Sequence, residues 1–105
     1  MSAVLVTGVT DTLGAGFAAA RRVAAEGHHV IVGAPQRAAA EMVAARLRAE
    51  GFAASPLRLD AGDPEALPVI AAELTARFGS IHDVVDGGDP DSAAALRALL
   101  RPVTV

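Results

Sequence analysis

Four short runs rich in branched aliphatic residues alternate with four longer runs of Ala, Leu, Glu and Arg, and that alternation leaves few folds open to the chain. The short runs, Ala3 to Val6, His29 to Val32, Ala53 to Leu57 and Ile81 to Val85, predict strands. The longer runs predict helices over Leu13–Glu26, Gln36–Glu50, Pro64–Phe78 and Pro90–Leu100. The strands read as continuous apolar stretches rather than alternating ones. Such strands are buried on both faces, as in a parallel sheet covered by helices on each side. The expected fold is a three-layer α/β/α sandwich in a single domain, 1–105, with strand order 3-2-1-4. A short fifth strand is expected at Val103–Val105. Right-handed crossovers put every loop that follows a strand along one edge, and ligands of such sheets bind where the strand order reverses. Here that point lies between the first and fourth strands.

Local signals agree with these boundaries. Gly27, Gly51 and Gly79 close the first three helices, where a left-handed residue is needed. Asp63-Pro64 and Asp89-Pro90 look like matched helix starts, the aspartate capping and the proline in the first helical position. Pro68, one turn into the third helix, is expected to loosen it. The core is built from small pieces, because alanine is abundant and Phe17, Phe52 and Phe78 are the only aromatics. Partner association would help such a core.

Composition removes several functions. A net charge of −3 argues against a nucleic-acid binder. No run approaches the ~20 apolar residues needed to cross a bilayer. No export signal is visible, and the absence of cysteine excludes disulfides and thiolate chemistry. The cytoplasm is the default compartment.

The first loop carries most of the functional information. Gly8 permits a tight turn after the first strand, Gly14 leaves room at the mouth of the first helix, and Gly16 adds room further along. A helix N-terminus offers free N–H groups and a partial positive charge, a seat for phosphate. The same glycines also suit a tight strand–helix turn with no ligand.

Together with two later motifs, this loop resembles the first half of a short-chain dehydrogenase/reductase, a Rossmann-like family. Thr7-Gly8-x-x-x-Thr12-Leu13-Gly14 is similar to its Thr-Gly-x-x-x-Gly-Ile/Leu-Gly. Leu59-Asp60-x-x-Asp63 and Phe78-Gly79-x-Ile81-His82 are similar to its Leu-Asp-Val-x-Asp and Phe-Gly-x-Ile-Asp. The resemblance implies cofactor contacts from Gly8, Thr10, Thr12, Leu13, Gly14, Arg37 and Asp60.

The departures carry equal weight. Thr12 replaces a glycine, and its branched side chain takes space that phosphate would use. The family's Asn-Asn-Ala-Gly falls on Asp86, Gly87, Gly88 and Asp89. The segment Gly33-Ala34-Pro35-Gln36-Arg37 has no acid to select NAD, whereas Arg37 could meet the 2'-phosphate of NADP or simply lie in solvent. The chain contains no Tyr and no Lys, so the family's Tyr-x-x-x-Lys unit is missing from these residues. Hydride transfer by that mechanism is not expected from this chain alone.

Asp11, Asp60, Asp86 and Asp89 line the expected ligand edge. Asp86 puts charge where a cofactor would approach, which reads as eviction of the cofactor. Asp86 or Asp11 could instead act as acid or base on a small molecule. The same carboxylates could form a weak oxygen-ligated cation site. Asp60 is more often a loop-ordering residue. His28, His29 and His82 lie at the opposite edge and form no zinc set. Ser55 shows no nearby base in sequence, and Arg21, Arg22, Arg46, Arg48 and Arg58 read as solvated charges.

The combined reading is a non-redox binding, accessory or structural protein that holds no cofactor. One alternative is a proton-transfer or dehydration enzyme using the aspartates. Another is an NADP-binding half completed by a partner chain. A homodimer or a larger protein partner is expected through the exposed sheet edge, with no metal, nucleic acid or membrane.

Overall fold

A computed structural model describes residues 2–100. Strands β1 (Ala3–Thr7), β2 (His29–Ala34), β3 (Ala54–Arg58) and β4 (Ile81–Asp86) form one sheet in the order β3-β2-β1-β4. All three pairings are parallel. Helices α1 (Ala15–Ala25), α2 (Arg37–Ala49), α3 (Leu67–Phe78) and α4 (Pro90–Leu100) complete the chain of strand–helix units. The expected three-layer sandwich and its strand order are therefore observed. The expected fifth strand at Val103–Val105 lies outside the described residues.

The layers follow from which way alternate strand residues point. Val4, Val6, Val30 and Val32 face one side, where α1 contributes Ala20, Val23 and Ala24 and α2 contributes Val43, Ala44 and Leu47. Leu5, Ile31, Leu57 and Val84 face the other side, where α3 contributes Leu67, Ala71 and Leu74 and α4 contributes Ala93 and Leu96. The buried helix positions recur every three or four residues, as one helical face requires. β1 is buried throughout, and β2 from Val30 onward, His29 being half-buried. In β4, His82, Asp83 and Asp86 are exposed, and among the described residues this strand has β1 alone as its neighbour.

Helix ends differ from expectation by more than one residue in two places. α1 begins at Ala15 rather than Leu13, since Leu13 and Gly14 belong to the preceding loop. A 3-10 turn over Pro64–Ala66 precedes α3, which begins at Leu67. Asp63 makes no side-chain cap there; its carbonyl accepts the Ala66 N–H at 3.2 Å. Pro68 consequently falls in the first turn of α3, where a missing N–H costs nothing. Asp89 does cap α4, its carboxylate accepting the Ser92 N–H at 3.2 Å. Gly27, Gly51 and Gly79 take positive φ of 95°, 91° and 77°, as their positions past helix ends demand.

Two side-chain roles were not visible in the spacing. Ser55 does have a base beside it, with His29 Nε2 2.7 Å from its Oγ. The pair ties β2 to β3 at the end of the sheet where the strands begin. His29 also packs edge-on against Phe78, with ring centroids 5.3 Å apart. Burial, then the charges of Arg48 and Arg77, push its pKa below the ordinary histidine value, so the fold favours the neutral ring. Arg48 is more than a solvated charge, because its Nε donates to the Ala54 carbonyl at 2.8 Å.

Candidate functional site

The edge of the sheet where strands end is assembled from backbone contacts that only glycine permits. Gly8 turns the chain out of β1 at φ +71°, and a Cβ there would lie 2.6 Å from the backbone of Gly88 and Asp89. A Cβ at Gly16, in the first turn of α1, would lie 2.6 Å from the Gly87 carbonyl oxygen. One at Gly87 would lie 2.6 Å from that of Thr7. The loops after β1 and β4 thus meet backbone to backbone. Hydrogen bonds fasten them, with the Gly87 N–H donating to the Thr7 carbonyl at 2.8 Å. The buried Thr7 hydroxyl donates to the Asp89 carbonyl at 2.9 Å. Sequence reasoning missed this role of Thr7, for which the residue types give no local signal. A third bond, from the Val9 N–H to the Gly33 carbonyl at 2.9 Å, anchors the first loop to β2. The loop after β1 and Asp86 therefore share one edge, as the order of strands required.

Asp11 determines what the mouth of α1 offers. Its Oδ1 accepts from the Leu13 N–H at 2.9 Å and from the Gly14 N–H at 2.8 Å. A carboxylate at a helix N-terminus contributes roughly 0.3–1 kcal/mol through the helix dipole. Two N–H groups of the loop that leads into α1 are thus bonded to the chain's own carboxylate.

The other expected contacts are scattered around this seat. Leu13 is 93% exposed at the loop tip, Thr10 is exposed and Thr12 half-buried. Thr10 lines a cleft of about 240 Å3 with Pro35, Gln36 and Ala39, between the loops after β1 and β2. Arg37 opens α2 next to that cleft, but its Nε lies 3.1 Å from Glu41 Oε1, one helical turn on. Asp60 orders its own loop by accepting the Gly62 N–H at 2.9 Å. It follows β3, two strands from β1, and stands apart from the glycine contacts.

The aspartates of the expected crevice are engaged in the same local manner. Asp86 is the last residue of β4 and its Oδ1 accepts the Gly88 N–H at 2.8 Å. Asp89 caps α4. Each side chain folds back on its own loop, the short-range hydrogen bonding typical of aspartate in turns. Among the described residues, no group of three or more His, Cys, Asp or Glu could hold a metal ion. No helix among them is long and apolar enough to cross a membrane.

Comparison with known proteins agrees with this architecture. The sequence profile of the short chain dehydrogenase family matches residues 2–88. Versicolorin reductase 1 of Aspergillus parasiticus is 39% identical over 82 residues, which cover 77% of this chain and 30% of that protein. A crystal structure of F189W actinorhodin polyketide ketoreductase with NADPH is similar, at a TM-score of 0.72 and 28% identity, over 81% of this chain and 32% of that one. Hydroxysteroid dehydrogenase from Escherichia coli shares the fold at a TM-score of 0.81 and 20% identity, over 94% of this chain and 48% of the other. The chain thus spans between about a third and a half of these relatives. Its parallel sheet, interlocked glycine loops and matching sequence place it in the short chain dehydrogenase family, corresponding to the N-terminal part of the family's fold.

Proposed function

We propose that this chain is a dehydrogenase-type scaffold that works as a non-redox binding, accessory or structural protein rather than as an autonomous oxidoreductase. The observation that carries this reading is Asp11, whose carboxylate takes the Leu13 and Gly14 N–H groups that a pyrophosphate would need. The composition supports it, since these 105 residues supply neither Tyr nor Lys for hydride-transfer chemistry. The role calls for a partner, either a second copy or a larger protein. Acid–base chemistry at Asp86 or Asp11 has less support, because both carboxylates already accept backbone hydrogen bonds.

Titration with NADPH tests the proposal. The chain has no Trp or Tyr, so the emission observed is that of the reduced nicotinamide itself. The expected outcome is no saturable change into the millimolar range for the native chain. Asp11→Ala, which frees the two N–H groups, is expected to introduce weak saturable binding. Micromolar binding by the native chain would sink the proposal.

A second reading, an NADP-binding half completed by another chain, draws on the cleft beside Arg37. Arg37 would there exchange Glu41 for the 2'-phosphate. Under that reading the native chain binds NADPH more tightly than NADH, and Arg37→Ala removes the difference.

A further inference from the structure

At the end of the sheet opposite the glycine loops, where the strands begin, a serine and a histidine meet. His29 opens β2, and Ser55 is the second residue of β3. The register pairs Ile31 with Ser55. Alternate residues of a strand share a face, so His29 and Ser55 both lie on the side of Ile31, the side packed by α3. His29 Nε2 stands 2.7 Å from Ser55 Oγ. The Thr7 and Thr75 hydroxyls donate to backbone carbonyls instead. Among the described residues, Ser55 alone has its hydroxyl on a basic nitrogen.

The surroundings orient the ring and set its charge. Its edge meets Phe78 at the end of α3, with centroids 5.3 Å apart. Arg77 of α3 lies 5.0 Å from the centre of the same Phe78 ring and 4.0 Å from Glu73. Arg48 of α2 reaches the Ala54 carbonyl, next to Ser55 in the strand. His28 turns to the α1 side of the sheet, where its ring stacks on that of His82. Burial, then the charges of Arg48 and Arg77, keep the His29 ring neutral at neutral pH, ready to take a proton. Neither member of the pair is sealed off, since both are half-buried.

We propose that Ser55 is an acyl-accepting nucleophile with His29 as its base, acting on small activated esters. With the ring proton on Nδ1, Nε2 accepts the Ser55 hydroxyl, and 2.7 Å is within the reach such pairs use. Ser55 Oγ bonds to the acyl carbon as its proton passes to Nε2. The intermediate then breaks its bond to the aryloxide, which leaves with the electron pair and takes up that proton. Water, giving a proton to the same nitrogen, releases the acyl group as a carboxylic acid and restores the hydroxyl. The positive charges of Arg48 and Arg77 favour the anionic intermediate. The pair lies in β2 and β3, across β1 from β4, and is separate from the glycine loops.

The test is reaction of the native chain with 4-nitrophenyl acetate, following nitrophenolate release and, after acid quench, peptide masses. The chain has no Lys, Tyr or Cys, so few other side chains compete for the acetyl group. Release above that of buffer is expected, with acetyl on the peptide that carries Ser55, and Ser55→Ala is expected to abolish both. His29→Gln, with native circular dichroism, is expected to slow the reaction on the order of a hundredfold, the lower end for a positioned base. Should that variant not fold, the pH profile of the native chain decides. Its rate is expected to rise through an ionisation below the ordinary histidine value and then level, because the neutral ring is the base. Release that survives in Ser55→Ala, the mark of direct attack by an imidazole or the N-terminal amine, overturns the proposal. So does a native chain no faster than buffer, an unchanged rate in folded His29→Gln, or a native profile without that ionisation.

Discussion

Gly8 and Gly27 both have positive φ, 71° and 95°, yet a side chain would meet different surroundings at each. At Gly27 nothing lies within 4 Å of an added Cβ, so Gly27→Ala is expected to cost only the left-handed backbone, about 1–2 kcal/mol. At Gly8 the same backbone cost is joined by 2.6 Å approaches to two backbone atoms of the loop after β4. Those atoms cannot move without disturbing the Thr7–Asp89 and Gly87–Thr7 hydrogen bonds. Gly8→Ala is expected to cost at least about 3 kcal/mol, the upper range for a strained backbone site. Urea denaturation of the two variants checks the ordering, and equal losses would show that the loop contact contributes nothing. Gly8 was legible in the sequence as a turn residue. Its contact across the edge was not, because Gly88 and Asp89 are 80 or more positions away in the chain. Asp11 shows the same limit at short range, since sequence placed a carboxylate in the loop but not the rotamer that folds it onto Leu13 and Gly14.

Among the elements, α3 shows how backbone and side chain divide the work. Sequence pattern set its existence and its end at Gly79, but put its start at Pro64 with Asp63 as cap. The observed start is a 3-10 turn closed by backbone bonds alone, and α3 proper begins three residues later. Boundaries are less legible than periodicity because a 3-10 turn and a first α-turn use similar residues. Pro68 sits where no N–H donor is required, so Pro68→Ala is expected to change stability by no more than about 0.5 kcal/mol, the ordinary range for a surface position. Leu74→Ala in the same helix empties a fully buried site and is expected to cost roughly 2–5 kcal/mol. Comparison of their denaturation midpoints measures the contrast. A large loss at Pro68 would mean that the proline itself fixes the 3-10 turn.

In the whole molecule, stability concentrates in the two central strands. Leu5, Val6, Ile31 and Val32 are 1% exposed or less and have helices on both sides. Their amides are expected to exchange only through global unfolding, whereas residues of the 3-10 turn exchange through local opening. Hydrogen exchange followed by NMR checks this, and central amides as fast as those of Pro64–Ala66 neighbours would argue for a loosely packed core. The sequence by itself determined the layered parallel sheet, the order of its elements, the glycine turns at helix ends and the family to which they belong. Each of these is written in periodicity or in a short spacing, which local physics can read. Only the tertiary structure decided that the β1 and β4 loops interlock, that His29 meets Ser55, that Arg48 reaches the Ala54 carbonyl and that Arg97 reaches that of Val84. Those contacts join residues whose separation is set by strand register and helix crossing, or turn on which way one side chain points, and neither quantity is encoded in any single stretch of chain.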